Sequence, residues 1–288
     1  MTGLIVKGIS GFYYVKAGGA VFQCKARGIF KKDGVSPMAG DSVEIEVTGD
    51  NSAVINAINE RKNEFIRPPV SNVDNFIVVL AAAKPGPNFK IVDSFLVMAE
   101  KNGADAAICI NKIDIAEKEK IKIINDIYGS VYPVVNVSAL SGEGLDDLKK
   151  LMRTGKNALA GPSGTGKSTL LNALYPPVGA QTGELSKKTS RGKHTTRHTE
   201  LFETAPGVMI FDTPGFTSLD AANIEEDELM HLFPEMAGLY GKCRYKNCMH
   251  INEKECAVIK GVKAGTIHKS RYSSYKEIIY EIRAGREY

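Results

Sequence analysis

The sequence predicts a multidomain α/β protein: a small five-stranded β-barrel, a parallel sheet covered by helices, and a helical metal-binding module. Three observations predict it. Short alternating apolar runs punctuated by glycine fill the first 66 residues. Continuous apolar strands alternate with helical patterns beyond Val73, and three cysteines crowd between Cys243 and Cys256. A chain of 288 residues, 43% apolar and 24% charged, can bury a proper core and has the balance of a globular protein. The formal charge of +4 is unevenly placed, because from Tyr240 to Tyr288 eleven Lys and Arg face five Asp and Glu. That basic end invites an anionic partner.

The barrel strands are expected at Leu4–Ile9, Phe12–Val15, Ala20–Ala26, Ser42–Val47 and Ala53–Ile58, with turns at Lys32-Asp33-Gly34 and Gly49-Asp50-Asn51. Arg67-Pro68-Pro69 stiffens the chain and ends this segment. Next come strand Phe76–Ala83, helix Phe89–Lys101, strand Ala106–Ile110, helix Ala116–Tyr128, strand Tyr132–Val137 and helix Leu145–Met152. Asn157–Ala160 leads into a glycine-rich loop, Lys167–Leu174 is the helix after it, and Leu201–Glu203 and Val208–Phe211 are further strands. From about Asn223 the chain reads as helical with a cysteine-rich interruption. The longest apolar run, Phe76–Ala83, is too short to cross a bilayer, and no charged-then-apolar leader opens the chain. Together with an odd count of five cysteines, this points to a reducing, cytoplasmic setting rather than a membrane or secreted protein.

Gly161, Pro162, Ser163, Gly164, Thr165, Gly166, Lys167 and Ser168 fit the phosphate-loop pattern of glycine, four residues, then Gly-Lys-Ser. The glycines let backbone N–H groups curl around phosphate oxygens, and the helix that follows, with Thr169 in its first turn, adds its positive end. Lys167 is expected to reach the β- and γ-phosphates and the Ser168 hydroxyl to ligate Mg²⁺. Asn111-Lys112-Ile113-Asp114 directly follows a predicted strand. An aspartate there can accept from both N1–H and the N2 amine of guanine, a pair that adenine lacks. Asn111 can meet the O6/N7 side, the Lys112 stem can cover the ring, and Ser138-Ala139 after the next strand can offer a backbone N–H to O6. Together with a phosphate loop these motifs specify GTP.

Asp-x-x-Gly, the usual γ-phosphate sensor, occurs at Asp126–Gly129 and at Asp212–Gly215. Only the second follows a strand beyond the phosphate loop, so Asp212 is assigned to Mg²⁺ through water and the Gly215 N–H to the γ-phosphate. Phe216 then stands where Ras-like enzymes carry a water-orienting glutamine.

In common GTPases the phosphate loop comes first and the guanine motif last. Here the order is Asn111–Asp114, Ser138–Leu140, Gly161–Ser168, then Asp212–Gly215, as a circular permutation of the same sheet would give. On these motifs the chain resembles the RsgA family (YjeQ/YloQ) of small-subunit-dependent ribosomal GTPases. The resemblance implies an N-terminal five-stranded OB-like β-barrel, a circularly permuted P-loop GTPase domain and a helical C-terminal zinc-binding module. The corresponding spans are 1–68 (barrel, RNA binding), 69–222 and 223–288. Gly192-Lys193-His194-Thr195-Thr196 is similar to the family's switch segment, in which a threonine ligates Mg²⁺ and a histidine assists hydrolysis. Either Thr195 or Thr196 can fill the first role, with Thr196 taken as the ligand, and His194 is the candidate catalytic residue.

Cys243, Cys248, His250 and Cys256 offer three thiolates and an imidazole within 14 residues. That is a closed tetrahedral zinc set with no position for water, hence structural. Cys24 and Cys109 sit in strands and read as buried apolar groups. Lys242, Arg244, Lys246, Lys254, Lys260 and Lys263 surround the cluster with Tyr245 among them, a pattern suited to RNA. The resemblance implies a monomeric Mg²⁺-dependent GTP hydrolase that binds GTP/GDP and the small ribosomal subunit with its rRNA, stimulated by that subunit during its late maturation. A GTP-stabilised RNA-binding module, or an assembly GTPase for a different RNA particle, is the competing expectation.

Overall fold

The computed structural model describes residues 1–28, 30, 34–152, 154–175, 199–213, 216 and 224–286. Five strands, β1 (Thr2–Ile9), β2 (Phe12–Ala17), β3 (Ala20–Ala26), β4 (Ser42–Gly49) and β5 (Ser52–Ile58), close into a barrel. Their alternation turns Ile5, Val15, Cys24, Val43 and Ile55 into a dry centre. Closure comes from β1 pairing β4, with Gly3 opposite Val43, while β3 and β5 run parallel.

The chain then makes a hairpin of β6 (Glu64–Ile66) and β7 (Pro69–Ser71), so Arg67 and Pro68 form a turn rather than a stiff spacer. Phe65 from this hairpin stacks on Phe76, ring centroids 5.2 Å apart, and meets Phe216 edge-on at 5.6 Å. Beneath it lies Asp41, fully buried. It accepts from Arg61 Nε and Nη2 at 2.8 Å each, from Ser71 Oγ at 2.6 Å and from the Met38 amide at 2.9 Å.

A second set of strands follows: β8 (Asn75–Ala81), β9 (Asp105–Asn111), β10 (Val134–Asn136), β11 (Gly155–Ala160), β12 (Glu200–Ala205) and β13 (Val208–Asp212). Their spatial order is β10-β9-β8-β11-β13-β12, parallel except for β12. Lys7 on β1 pairs with Glu200 on β12, which joins barrel and parallel sheet into eleven continuous strands. Salt bridges Lys7–Glu200 (2.7 Å) and Lys16–Glu203 (2.5 Å) flank that seam.

Strand β8 is apolar throughout because both of its faces are covered. Phe76, Val78 and Leu80 pack under α1 (Phe89–Lys101) and α2 (Lys118–Tyr128). Ile77 and Val79 face α3 (Leu145–Leu151) and α4 (Lys167–Leu174). Cys24 and Cys109 are fully buried, as expected of small apolar groups in strands. The Asp126–Gly129 pattern falls at the end of α2, away from any strand terminus.

The C-terminal module comprises a 3₁₀ turn (Leu229–Leu232), α5 (Pro234–Ala237), α6 (Ala257–Ala264) and α7 (Lys269–Arg286). Its core of Phe233, Met236, Val258, Tyr275 and Ile278 also takes in Val97 of α1. The joint is set by Arg271 on α7, only 1% exposed. Its Nη1 donates to Asp93 of α1 at 2.6 Å, and its Nε and Nη2 donate to Glu235 of α5 at 2.7 and 3.2 Å. The guanidinium lies 4.6 Å from the Phe233 ring centroid, and Tyr128 donates to Asp93 at 3.0 Å. No helix among the described residues is long and apolar enough to cross a membrane.

Removing one member of such a buried set strands the others without water. Arg271→Met should cost about 3–5 kcal/mol of unfolding free energy, read from urea denaturation of the zinc-loaded protein. A loss below about 1 kcal/mol would place the network among ordinary surface pairs.

Candidate nucleotide site and metal centre

The predicted motifs meet at one edge of the parallel sheet. Asn111 ends β9, Ser138 and Ala139 follow β10, the glycine loop leaves β11, and Asp212 ends β13. The order of connections reverses between β8 and β11, and ligands of open α/β sheets bind at such a crevice beyond the carboxyl ends of the strands.

Within the loop, backbone geometry explains the glycines. Gly161 has φ +137, and a Cβ there would overlap the Val79 carbonyl oxygen of β8. Gly166 precedes α4 in the left-handed region, with the Asn111 amide nitrogen 2.5 Å from where a Cβ would sit. Thr165 is buried and its hydroxyl donates to the Pro162 carbonyl at 3.0 Å. Lys167 Nζ donates to the carbonyls of Gly161 (2.7 Å) and Pro162 (2.8 Å), and burial lowers its ammonium from the ordinary lysine value. The lysine is thus folded over the loop's own carbonyls. Ser163, Gly164, Ser168 and Thr169 are exposed.

Asn111 ties the two halves together. Its amide Nδ2 donates to the Thr165 carbonyl at 2.9 Å, while its Oδ1 accepts from the amides of Lys112 (2.8 Å) and Ala139 (3.1 Å). Lys112 adopts a left-handed backbone, φ +66, and its Nζ donates to the Lys84 carbonyl at 2.8 Å. Ile113 and Asp114 lie in the 3₁₀ turn Ile113–Ile115, and Asp114 is exposed, with no hydrogen bond or ion pair among the described residues. Ser138 is fully buried and its hydroxyl accepts from the Ser141 amide at 3.1 Å. Asp212 sits half-buried opposite Glu200 in the β12–β13 register. His194, Thr195, Thr196 and Gly215 lie outside the described residues.

The segment between β8 and α1 is a part of the site that motif reading missed. Lys84 holds Lys112, and Pro85 lies 3.7 Å from where a Cβ on Gly164 would stand. Lys84-Pro85-Gly86-Pro87 reads only as a turn, because its contribution is a backbone carbonyl. Phe216 is 5% exposed, and its ring packs on Phe76 at 4.8 Å. It is a core residue, its ring also edge-on to Phe65.

The metal centre forms where three helical pieces meet. The ligand atoms of Cys243, Cys248, His250 and Cys256 all lie within 4.8 Å of one another. Cys243 Sγ stands 3.9 Å from Cys256 Sγ and 3.5 Å from His250 Nδ1, which is 3.3 Å from Cys256 Sγ. Tetrahedral zinc with bonds of about 2.3 Å to sulfur sets such edges at about 3.8 Å, so the donor set fits that ion in type, number and spacing. Without a cation, burial and the neighbouring thiols push Cys248 up to about 12. The loop is held from outside: Glu253 accepts from the amides of Met249, Ile251 and Asn252, and Tyr272 and Tyr275 donate to the His250 and Met249 carbonyls. His231 packs its ring 4.8 Å from Tyr240, and His268 Nδ1 accepts from the Ser270 amide.

Two family models match in series, the RsgA N-terminal domain over residues 2–55 and the RsgA GTPase over residues 58–222. The chain belongs to the RsgA GTPase family. It is 44% identical to the small ribosomal subunit biogenesis GTPase RsgA of Alkaliphilus metalliredigens, covering 99% of each. Its identity to the protein of that name from Geobacillus kaustophilus is 43%, covering 98% of this chain and 97% of the other. Among solved structures, YjeQ from Thermotoga maritima matches with a TM-score of 0.84 at 34% identity, covering 98% of each chain. YloQ, described as a circularly permuted GTPase, matches at 0.80 and 34%, covering 98% of this chain and 95% of the other. As an RsgA GTPase the chain is a GTP hydrolase on a circularly permuted P-loop domain, and such an enzyme uses Mg²⁺ with GTP.

Zinc held by this cluster contributes folding free energy rather than chemistry. Cys248→Ser should therefore lower the zinc content of the purified chain while leaving GTP affinity within about twofold, because the cluster lies outside the nucleotide site. Metal analysis of the unsubstituted protein giving well under one zinc per chain would remove the premise.

Proposed function

We propose that the chain hydrolyses GTP to GDP and phosphate in late maturation of the small ribosomal subunit, with hydrolysis stimulated by that subunit. The family and the names of its relatives support the setting. The observation that carries the site is the Asn111 amide, which joins the guanine motif to the phosphate loop across 54 residues of sequence. On this reading Asp114 reads guanine N1–H and N2, the Lys112 stem covers the ring, and Ala139 offers its N–H. The amides from Gly161 to Thr169 surround the phosphates, and Lys167 leaves its two carbonyls for the β- and γ-phosphates. Mg²⁺ would be held by Ser168, Asp212 and Thr196, and when bound it neutralises charge on the transferred phosphoryl group. Gly215 contributes its N–H to the γ-phosphate.

The attacking water needs a partner other than Phe216, whose ring is committed to the core. His194 is that candidate. Residues 1–68 would contact RNA through the barrel, 69–222 carry the GTPase and 223–288 present the zinc-ordered basic surface. There Arg244 lies 5.8 Å from the ring of exposed Tyr245, and Lys242, Lys246 and Lys254 stand nearby in sequence. The chain is taken to act as a cytoplasmic monomer. Sedimentation with small subunits, large subunits and free rRNA, with GTP analogue and with GDP, tests the whole reading. Selective, GTP-dependent association with small subunits supports it. Equal binding in both nucleotide states would make GTP a mere fold stabiliser, since equal affinity shifts no equilibrium.

Asp114→Asn should exchange GTP for XTP preference in nucleotide competition, because an acceptor becomes a donor opposite the purine C2 substituent. Continued preference for GTP would dislodge Asp114 from its role. His194→Ala should cut subunit-stimulated kcat by about 10²-fold in single-turnover assays while GTP binding changes little. Near-normal turnover would hand the water to rRNA or backbone. Reversing Lys242, Arg244 and Lys246 to glutamate should lower RNA affinity and flatten its salt dependence by counterion release. An unchanged salt slope would put the contact on another surface.

A further inference from the structure

Asp212–Gly215, assigned above to the γ-phosphate, stands between two buried aromatic residues. Phe211 precedes it in β13 and Phe216 follows it, and both belong to the core beneath α1. Each also meets the part of the chain that carries the barrel. A Cβ on Gly40, in the stretch leading into β4, would stand 3.0 Å from Phe211 Cζ and would overlap the Ser71 carbonyl oxygen of β7. Gly40 has φ +100, so the barrel comes this close to β13 only with glycine there. On the other side, Phe216 lies edge-on to Phe65 of β6 at 5.6 Å and to Phe76 of β8 at 4.8 Å.

Phe76 belongs to the parallel sheet, but Phe65 does not. Its strand pairs with β7 in a separate two-stranded sheet, and that hairpin is fastened to the barrel. The Ser71 amide donates to the Ala39 carbonyl at 3.0 Å, and Asn72 Nδ2 donates to the Gly40 carbonyl at 3.0 Å. Ser71 and Arg61 both donate to Asp41. The ring that follows Gly215 therefore rests on an element whose place is set by the barrel.

Gly215 and Phe216 share a peptide bond, so fixing the ring restricts where the Gly215 N–H can stand. A donor already held in place loses less freedom when it captures its acceptor. GDP has no γ-phosphate and gains nothing from that restriction. One edge-to-face aromatic pair contributes enough to move such an equilibrium about two- to tenfold.

We propose that Phe65 is a positioning residue for the GTP reaction: through Phe216 it holds the Gly215 N–H for the γ-phosphate, and it makes that hold depend on the seat of the barrel. The proposal rests on the assignment of Gly215 made above. Linkage works in both directions. The γ-phosphate tightens the hairpin against the GTPase unit, and RNA that draws the barrel away from β13 weakens GTP relative to GDP by the same factor. A ligand on the barrel thus reaches the γ-phosphate without touching the nucleotide.

Equilibrium binding of GDP and of a non-hydrolysable GTP analogue to the full-length, zinc-loaded protein with Mg²⁺ tests this. F65L and F65M remove the ring and keep an apolar side chain. Either should weaken the analogue about three- to tenfold while GDP affinity stays within about twofold, which also shows that the fold persists. F95L removes a ring of the same core from α1 and should leave the ratio of the two affinities unchanged, even where it lowers the melting temperature. Hydrogen exchange over residues 62–73 of the unsubstituted chain needs no variant. The analogue should slow it more than GDP does. G215A separates the two layers of the argument. A ratio that falls in G215A but not in F65L or F65M overturns the proposal and keeps the Gly215 assignment. A ratio unchanged in G215A overturns that assignment and the proposal with it. An equal fall in F95L, or equal exchange in the two nucleotide states, also overturns the proposal.

Discussion

One guanidinium governs how the molecule is put together. Arg271 is enclosed between α1, α5 and α7, and its charge is answered by carboxylates from two of them. Because its partner Asp93 lies 178 residues away in sequence, neither the zinc module nor α1 can reach its final packing without the other. Helix α1 therefore has two insides. Val92, Phe95, Leu96 and Ala99 cover the parallel sheet, while Val97 enters the core of the zinc module. Its N-terminal lead, the segment around Lys84 and Pro85, touches both the phosphate loop and Lys112. The element that anchors the C-terminal module is thus the one whose beginning lines the nucleotide site.

The barrel is attached by related means. Asp41, without any exposed surface, gathers Arg61 and Ser71, which come from opposite sides of the β6–β7 hairpin. Buried ionic groups of this kind add little net stability over an apolar packing of the same shape, yet separating them is costly. Their contribution is to geometry. Surface pairs such as Lys101–Glu228 and Lys90–Glu281 span the same zinc-module joint and contribute far less.

Much of this was legible in the sequence, and the reasons are local. Strand β8 shows itself because every residue of Phe76–Ala81 must be apolar when both faces are covered. The phosphate loop shows itself because Gly161 and Gly166 occupy places where backbone and amide leave no room for a Cβ. The metal centre is equally plain, since its four ligands fall within one short stretch. What escaped depends on distant parts of the chain or on the main chain itself. The β6–β7 hairpin has strands of three residues around two prolines, a pattern that reads as a breaker. Nothing in the neighbourhood of Arg271 says that this arginine, among eleven basic residues in the last segment, points inward. The hold of Lys84 on Lys112 is made by a carbonyl, which every residue type carries.

The permuted order also has a consequence for how the protein is made. Strand β8, the first strand of the GTPase part of the sheet to be synthesised, lies inside the order β10-β9-β8-β11-β13-β12. It finds β9 soon afterwards on one edge, but the other edge waits for β11, whose Asn157 receives the Asn75 amide from 82 residues away. Such long-range pairing is slow, and an open strand edge is a template for unwanted partners until it is filled. The arrangement that lets barrel and zinc module sit at the two ends of the GTPase unit is obtained at a kinetic cost. The strand least tolerant of water is the first of the GTPase unit's parallel strands to emerge from the ribosome, and its second edge is covered only after β9 and β10 have been made.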